Sequence, residues 1–146
     1  MQTLENMIEI SQYDDAGYQP LVDFNCWRIA VLNYIDELEP DRIDNFQKHD
    51  ETDEVFILLE GRCILFVGEA NEQQEIVNIR GVDMTPNRLY NIKQGVYHTH
   101  TLSEDAKVLI VENRNTCEKN SPKIGIKVRE QARLMRLTRQ LWCTEN

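Results

Sequence analysis

Two apolar runs, Val55–Leu59 (VFILL) and Cys63–Val67 (CILFV), flank the tripeptide Glu60-Gly61-Arg62. Each run is too short for a helix, and each is rich in β-branched and aromatic residues. Both therefore read as strands. A glycine between them supplies the positive φ that a tight reversal often requires, so they read as a hairpin. The first run is apolar at both parities. A strand with one face in water alternates instead. The outward side chains Val55, Ile57 and Leu59 are thus expected to be covered by a second sheet, by a tail helix or by another subunit.

Further short strands are expected at Trp27–Tyr34, Ile76–Ile79, Tyr90–Ile92, Val96–Thr101 and Lys107–Glu112, separated by polar or proline-bearing turns. The period changes near the end. From Val128 to Trp142, apolar residues recur at helical spacing, opposite Arg129, Arg133, Arg136 and Gln140. Many short strands followed by one helix point to an all-β sandwich or barrel with a C-terminal α-helix. The expected organisation is an N-terminal arm over residues 1–26, a β-barrel over 27–115 and a C-terminal extension with the amphipathic helix over 116–146.

The chain has 146 residues, enough for one sizeable core, and a net charge of −9. Phosphate backbones repel such a surface, so no nucleic-acid partner is expected. No apolar stretch approaches the roughly 20 residues that span a bilayer, so no membrane partner is expected either. The N-terminal residues MQTLENMIEISQ lack the basic and long apolar regions of a secretory signal. The four cysteines form no CxxC pair. A cytoplasmic protein is the expectation. The doubly apolar VFILL run and the amphipathic tail lead us to expect a homodimer, since two-fold dimers are the commonest soluble assembly.

Only three histidines occur, at 49, 98 and 100. His49 precedes the VFILL strand, and the other two stand in the stretch KQGVYHTH. Alternation puts Glu54, Phe56 and Leu58 on one face of their strand, and His98 and His100 on one face of theirs. If both faces point inward, imidazoles and a carboxylate meet in one interior. Two imidazoles and a carboxylate suit a divalent ion and leave positions open. A glutamate turned inward beside Phe56 is costly unless it is paired or metal-bound. His100, about 7 Å from His98 along the strand, contacts substrate, acts as an acid or base, completes the metal site or is a satisfied core histidine. Phe56 is expected beside it in the substrate pocket.

The spacing of these residues resembles the cupin family. His49, four residues, Glu54, six residues and Gly61 match the second half of the first cupin motif. Gly95, two residues and His98 match the centre of the second. The resemblance implies a double-stranded β-helix, the cupin jelly-roll barrel, with a metal near one mouth. The sequence departs from the family at four positions. Gln47 stands in place of the first histidine, Asn87 in place of a glycine, Lys93 in place of a proline and Leu102 in place of the closing asparagine. An amide oxygen can ligate a divalent ion, and Gln47, His49, Glu54 and His98 resemble the Gln/His/Glu/His set of phosphomannose-isomerase-type cupins. With Gln47 and His49 facing inward, Lys48 is expected to point away.

One divalent ion (Zn, Fe, Mn or Ni) and a small polar metabolite are thus the expected ligands. A metal-dependent enzyme of isomerase or dioxygenase type and a non-enzymatic small-molecule-binding or sensor domain both fit the residues. No nucleophile dyad, phosphate loop or dinucleotide fingerprint assigns a catalytic residue.

Overall fold

The computed structural model describes residues 1–143 of the chain; the last three residues of the expected C-terminal extension lie outside the described residues. After a short helix α1 (Leu4–Met7) come the strands β1 (Tyr18–Phe24), β2 (Trp27–Asn33), β3 (Asn45–Gln47), β4 (Glu54–Glu60) and β5 (Cys63–Ala70). Strands β6 (Ile76–Asp83), β7 (Tyr90–Ile92), β8 (Tyr97–Leu102), β9 (Lys107–Asn113) and β10 (Lys123–Gly125) follow, and helix α2 (Val128–Trp142) closes the series. No helix among the described residues is long and apolar enough to cross a membrane.

The strands form two five-stranded antiparallel sheets, ordered β1-β2-β9-β4-β7 and β10-β3-β8-β5-β6. The jelly roll expected from the sequence is present, but its closure into a barrel is not. No ladder joins the two sheets, and they face each other as a sandwich. Short strands account for this. Strand β7 pairs with β4 over only Glu54–Phe56, and β3 meets β8 through the single pair Gln47–His98.

The expected hairpin is β4 and β5. Gly61 has a φ of +70°, and a Cβ there would lie 2.6 Å from the Ala106 backbone, so the turn admits little else. Two cores result. One lies between the sheets and contains Ala30, Leu32, Phe56, Leu58, Cys63, Leu65, Val108 and Ile110. The other lies between the second sheet and α2, where Ile64, Phe66, Ile76 and Ile79 meet Leu134 and Leu137. Strand β5 is buried on both faces for this reason, with Cys63 and Leu65 in one core and Ile64 and Phe66 in the other.

Helix α2 occupies the range its period predicts, but its buried side is narrower than expected. Val128 is 79% exposed and Ala132 is also exposed, while Leu134 and Leu137 are buried. Its last turn is clamped by Arg62, which donates to the Trp142 carbonyl (3.2 Å) and pairs with Asp83 (3.0 Å). Cation and helix C-terminus attract one another there.

Two expectations need correction. The segment expected as an arm contains β1, which pairs with β2 and forms one edge of the first sheet. Pro20 and Asp23 interrupt its alternation. A proline is tolerated at an edge, and the register shifts between Pro20 and Val22. In the tail, Lys123–Gly125 is strand β10, paired with β3. Its sequence, Lys-Ile-Gly, holds a single apolar residue, too little pattern to read as a strand.

Candidate metal centre

The two sheets bring the motif residues to one end of the sandwich. Glu54 opens β4 on the first sheet, and His98 stands on β8 of the facing sheet. His49 follows β3 in a loop held on both sides. Lys48 N–H donates to the Pro122 carbonyl (3.0 Å), and Asp50 N–H to that of Asn120 (2.9 Å). The two motif halves are tied directly, because Gly95 N–H donates to the His49 carbonyl at 2.8 Å. Gly95 has a φ of +80°, a conformation that favours glycine.

His49, Glu54 and His98 are all buried, and one ligand atom from each lies within 4.8 Å of the others. His49 Nε2 is 3.0 Å from Glu54 Oε2, and His98 Nε2 is 3.2 Å from Glu54 Oε1. The outer nitrogens are already engaged. His98 Nδ1 lies 2.9 Å from the Val96 carbonyl, which can only accept. His49 Nδ1 lies 2.7 Å from Ser121 Oγ, whose own proton goes to Asn120 Oδ1. With Nδ1 protonated in each ring, both neutral imidazoles aim an Nε2 lone pair at the carboxylate. Three acceptors then face one another, an arrangement that requires a proton or a cation between them. Fixing the outer nitrogen in this way is how metal-ligating histidines are oriented. The donor set therefore fits a divalent ion.

Without an ion, protons fill the role. Burial opposes charge on Glu54, but hydrogen bonds from His49 and His98 outweigh it and hold the carboxyl well below its usual range. Burial likewise works against charge on His49, and Glu54 more than compensates, so its pKa is raised.

Gln47, across the ladder from His98, lines the same cavity, with its amide nitrogen 3.3 Å from the Ser121 carbonyl. Its Oε1 makes no hydrogen bond among the described residues. Lys48 points away, its ammonium lying 5.5 Å from the Tyr97 ring centroid. His100 lines the cavity but is not part of the converging group. Its Nδ1 is buried without a hydrogen-bond partner, and burial, with the nearby His98, lowers its pKa to about 4. Phe56 differs from expectation. It is fully buried and does not line the cavity. Its ring stands behind the site, 6.1 Å from the His98 ring and 5.6 Å from that of His100.

Sequence reasoning missed a second polar group. Glu112 on β9 lies directly across the ladder from Arg28 on β2, and their side chains pair at 2.7 Å. Arg28 also donates to the Arg114 and Thr116 carbonyls, and the Tyr18 hydroxyl donates to Glu112. Glu54, Glu112 and Arg28 thus form a polar row across β4, β9 and β2, at the end of an otherwise apolar inner face. Alternation carries a signal for it: Glu112 shares parity with Val108 and Ile110, and Arg28 with Ala30 and Leu32. Arg62 and Arg80 do not line this cavity.

Burial and the neighbouring Glu54 push the Glu112 pKa up to about 7, against the opposing pull of Arg28 and Tyr18. A carboxyl with a raised pKa binds its proton more tightly when folded. Its stabilising contribution is complete below the unfolded value near 4.5 and is lost as pH rises through about 7. His49, also raised, acts in the same direction. His100, lowered to about 4, acts in the opposite direction, but the two raised groups outnumber it, so metal-free protein is expected to need less urea to unfold at pH 8 than at pH 5.5. Glu112→Gln should flatten much of that difference, and equal pH dependence in both proteins would refute the assignment.

The cavity holds about 570 Å³ and is lined by both groups together with Leu32, Leu38, Ile43 and Ile110. That volume suits a small metabolite.

No protein-family model matches the sequence, and no curated protein does. Solved structures do resemble the fold. A substituted form of the Streptomyces protein PAC13, solved with uridine, is 10% identical, with a TM-score of 0.53 over 88% of this chain and 93% of that one. The capsular polysaccharide assembling protein CapF from Staphylococcus aureus is 14% identical, with a TM-score of 0.54 over 79% of this chain and 31% of its own. A cupin-2 domain protein from Shewanella frigidimarina is 20% identical over 70% of this chain and 85% of its own, with a TM-score of 0.49. The order of strands in the two sheets and the likeness to the first two of these structures show that this chain has the cupin fold.

Proposed function

We propose that the protein binds one divalent metal ion through His49, Glu54 and His98, with the Gln47 amide oxygen as a fourth donor, and acts on a small polar metabolite held in the adjoining cavity. The observation that carries this reading is the convergence of two oriented Nε2 atoms on one buried carboxylate. A divalent ion with a single carboxylate among its ligands stays net positive and, when bound, polarises a carbonyl or hydroxyl oxygen. The chain's own residues do the rest. His100, neutral and with Nδ1 unpaired, accepts a hydrogen bond from the ligand. Arg28 and Tyr18 orient Glu112, which moves a proton at the cavity wall. Leu32, Leu38 and Ile110 limit the water around it. The uridine in the Streptomyces protein of the same fold supports a small polar ligand.

A non-enzymatic binding domain is the second reading, favoured by one observation: Gln47 offers a neutral oxygen where an imidazole would bind more strongly. Elemental analysis of protein purified without added metal or a histidine tag bears on both. Stoichiometric iron supports dioxygenase chemistry. Zinc, nickel or manganese supports isomerisation or ligand binding. Absence of metal even after reconstitution contradicts the metal site and favours the binding domain.

We also propose a cytoplasmic homodimer. The four cysteines are all free thiols, as suits a reducing compartment. Neither a second sheet nor α2 covers the outer face of β4, where Leu59 is 45% exposed, which supports cover by a second copy.

A further inference from the structure

The chain as a whole is acidic, but its last helix is not. From Lys127 to Arg139 only Glu130 offsets Lys127, Arg129, Arg133, Arg136 and Arg139. Arg129, Arg133 and Arg136 recur at helical spacing, on the flank of α2 that faces the start of β6. With Lys127 they line a groove of about 800 Å³, and residues 75–79 form its other wall. This groove and the cavity of the metal centre share no residue.

Like charges three and four residues apart on a helix destabilise it, and nothing in the described chain relieves these. Arg28, Arg42, Arg62 and Arg114 each pair with a carboxylate. Among the described residues, none of Lys127, Arg129, Arg133 and Arg136 does. The two carboxylates in the groove are turned to other partners. Glu130 accepts from the Lys127 N–H (3.0 Å), and Glu75 accepts from Asn71 Nδ2 (3.2 Å). The far wall selects the kind of occupant. Strand β6 is the last of its sheet, and its outer edge pairs with no strand among the described residues. The backbone of such an edge is free to pair with another extended chain. Asn78, with a φ of +53°, sits where the β5–β6 register shifts, and this bulge keeps such pairing short.

We propose that this groove binds an acidic segment of a partner protein in extended form, with Asp or Glu at alternate positions. Spacing supports it. Alternate side chains of an extended chain share one face and lie about 6.7 Å apart, so three such carboxylates span about 13 Å. The row from Lys127 to Arg136 spans about 13.5 Å at the helical rise. Each guanidinium can then take one carboxylate through paired N–H donors. The β6 edge offers amide partners that a peptide backbone matches and a phosphate chain does not, which favours a peptide over a nucleic-acid strand.

Fluorescence anisotropy on the full chain tests it, with the labelled peptide Glu-Thr-Glu-Thr-Glu-Thr-Glu-Thr as the probe. Binding is expected at low salt and should weaken as ionic strength rises. Arg129→Gln with Arg136→Gln should weaken it by about tenfold, because an exposed ion pair contributes up to about fivefold. Both arginines are exposed, and glutamine is a comparable helix former. The circular dichroism spectrum and zinc uptake of the variant should therefore stay unchanged. The peptide Glu-Glu-Glu-Glu-Thr-Thr-Thr-Thr, of the same charge, should bind more weakly than the alternating one. No binding of the alternating peptide, or equal binding by the double variant, overturns the proposal. Equal binding of the two peptides overturns the extended register. Tighter binding of inorganic tripolyphosphate or of a short oligothymidylate than of the peptide gives the groove to a phosphate ligand and also overturns it.

Discussion

His98→Ala is expected to weaken divalent-ion binding by more than about 100-fold, the upper end of what is lost when only an outer-shell partner of a ligand is removed. His98 is the ligand fixed most firmly. Strand β8 holds it from both sides, against Gln47 on β3 and Val67 on β5, and the Val96 carbonyl sets its tautomer. The substitution also takes one of two imidazole partners from a carboxylate buried to 6% exposure. Metal-free protein should thus lose about 1–3 kcal/mol, the penalty for leaving a buried polar group short of a partner. Calorimetric titration with zinc and urea unfolding read the two effects separately. An affinity within a few-fold of wild type would remove His98 from the site.

Phe56→Ala is expected to cost about 3–5 kcal/mol of stability, the range for truncating a buried aromatic. Against a total of roughly 5–15 kcal/mol for a domain, that leaves a marginal fold. Phe56 is 0% exposed in the core between the sheets, and little around it can collapse into the space. Its ring also backs His98 and His100, so metal affinity should fall, but by less than in His98→Ala. Urea unfolding of the metal-free protein checks the first effect and zinc titration the second. A loss of ligand binding with no loss of stability would instead return Phe56 to the role expected from sequence, a direct substrate contact.

How far such features were legible depends on the range over which they are written. Strands β4, β5 and β9 and helix α2 are each longer than one period of their pattern, and all were readable. Strands β3 and β10 have three residues each, and their partners lie far away in sequence. In β1, Pro20 and Asp23 mask a strand that only the ladder with β2 reveals. The site divides in the same way. His49, Glu54 and His98 carry motif spacing within two short stretches, and the structure brings them together. Arg28 and Glu112 are 84 residues apart, and neither has meaning until β2 and β9 pair. The role of Phe56 turned on depth, which alternation does not encode. It gives the face of a strand but not the distance from its end to the cavity.

With only three histidines in the chain, imidazole nitrogen NMR tests the metal centre directly. Zinc is added stepwise to metal-free, nitrogen-15-labelled protein at pH 7. One equivalent should shift the Nε2 resonances of His49 and His98 and saturate, leaving each Nδ1 protonated and the His100 ring nitrogens free of metal. The absence of any saturable change, or a shift confined to His100, would contradict the account.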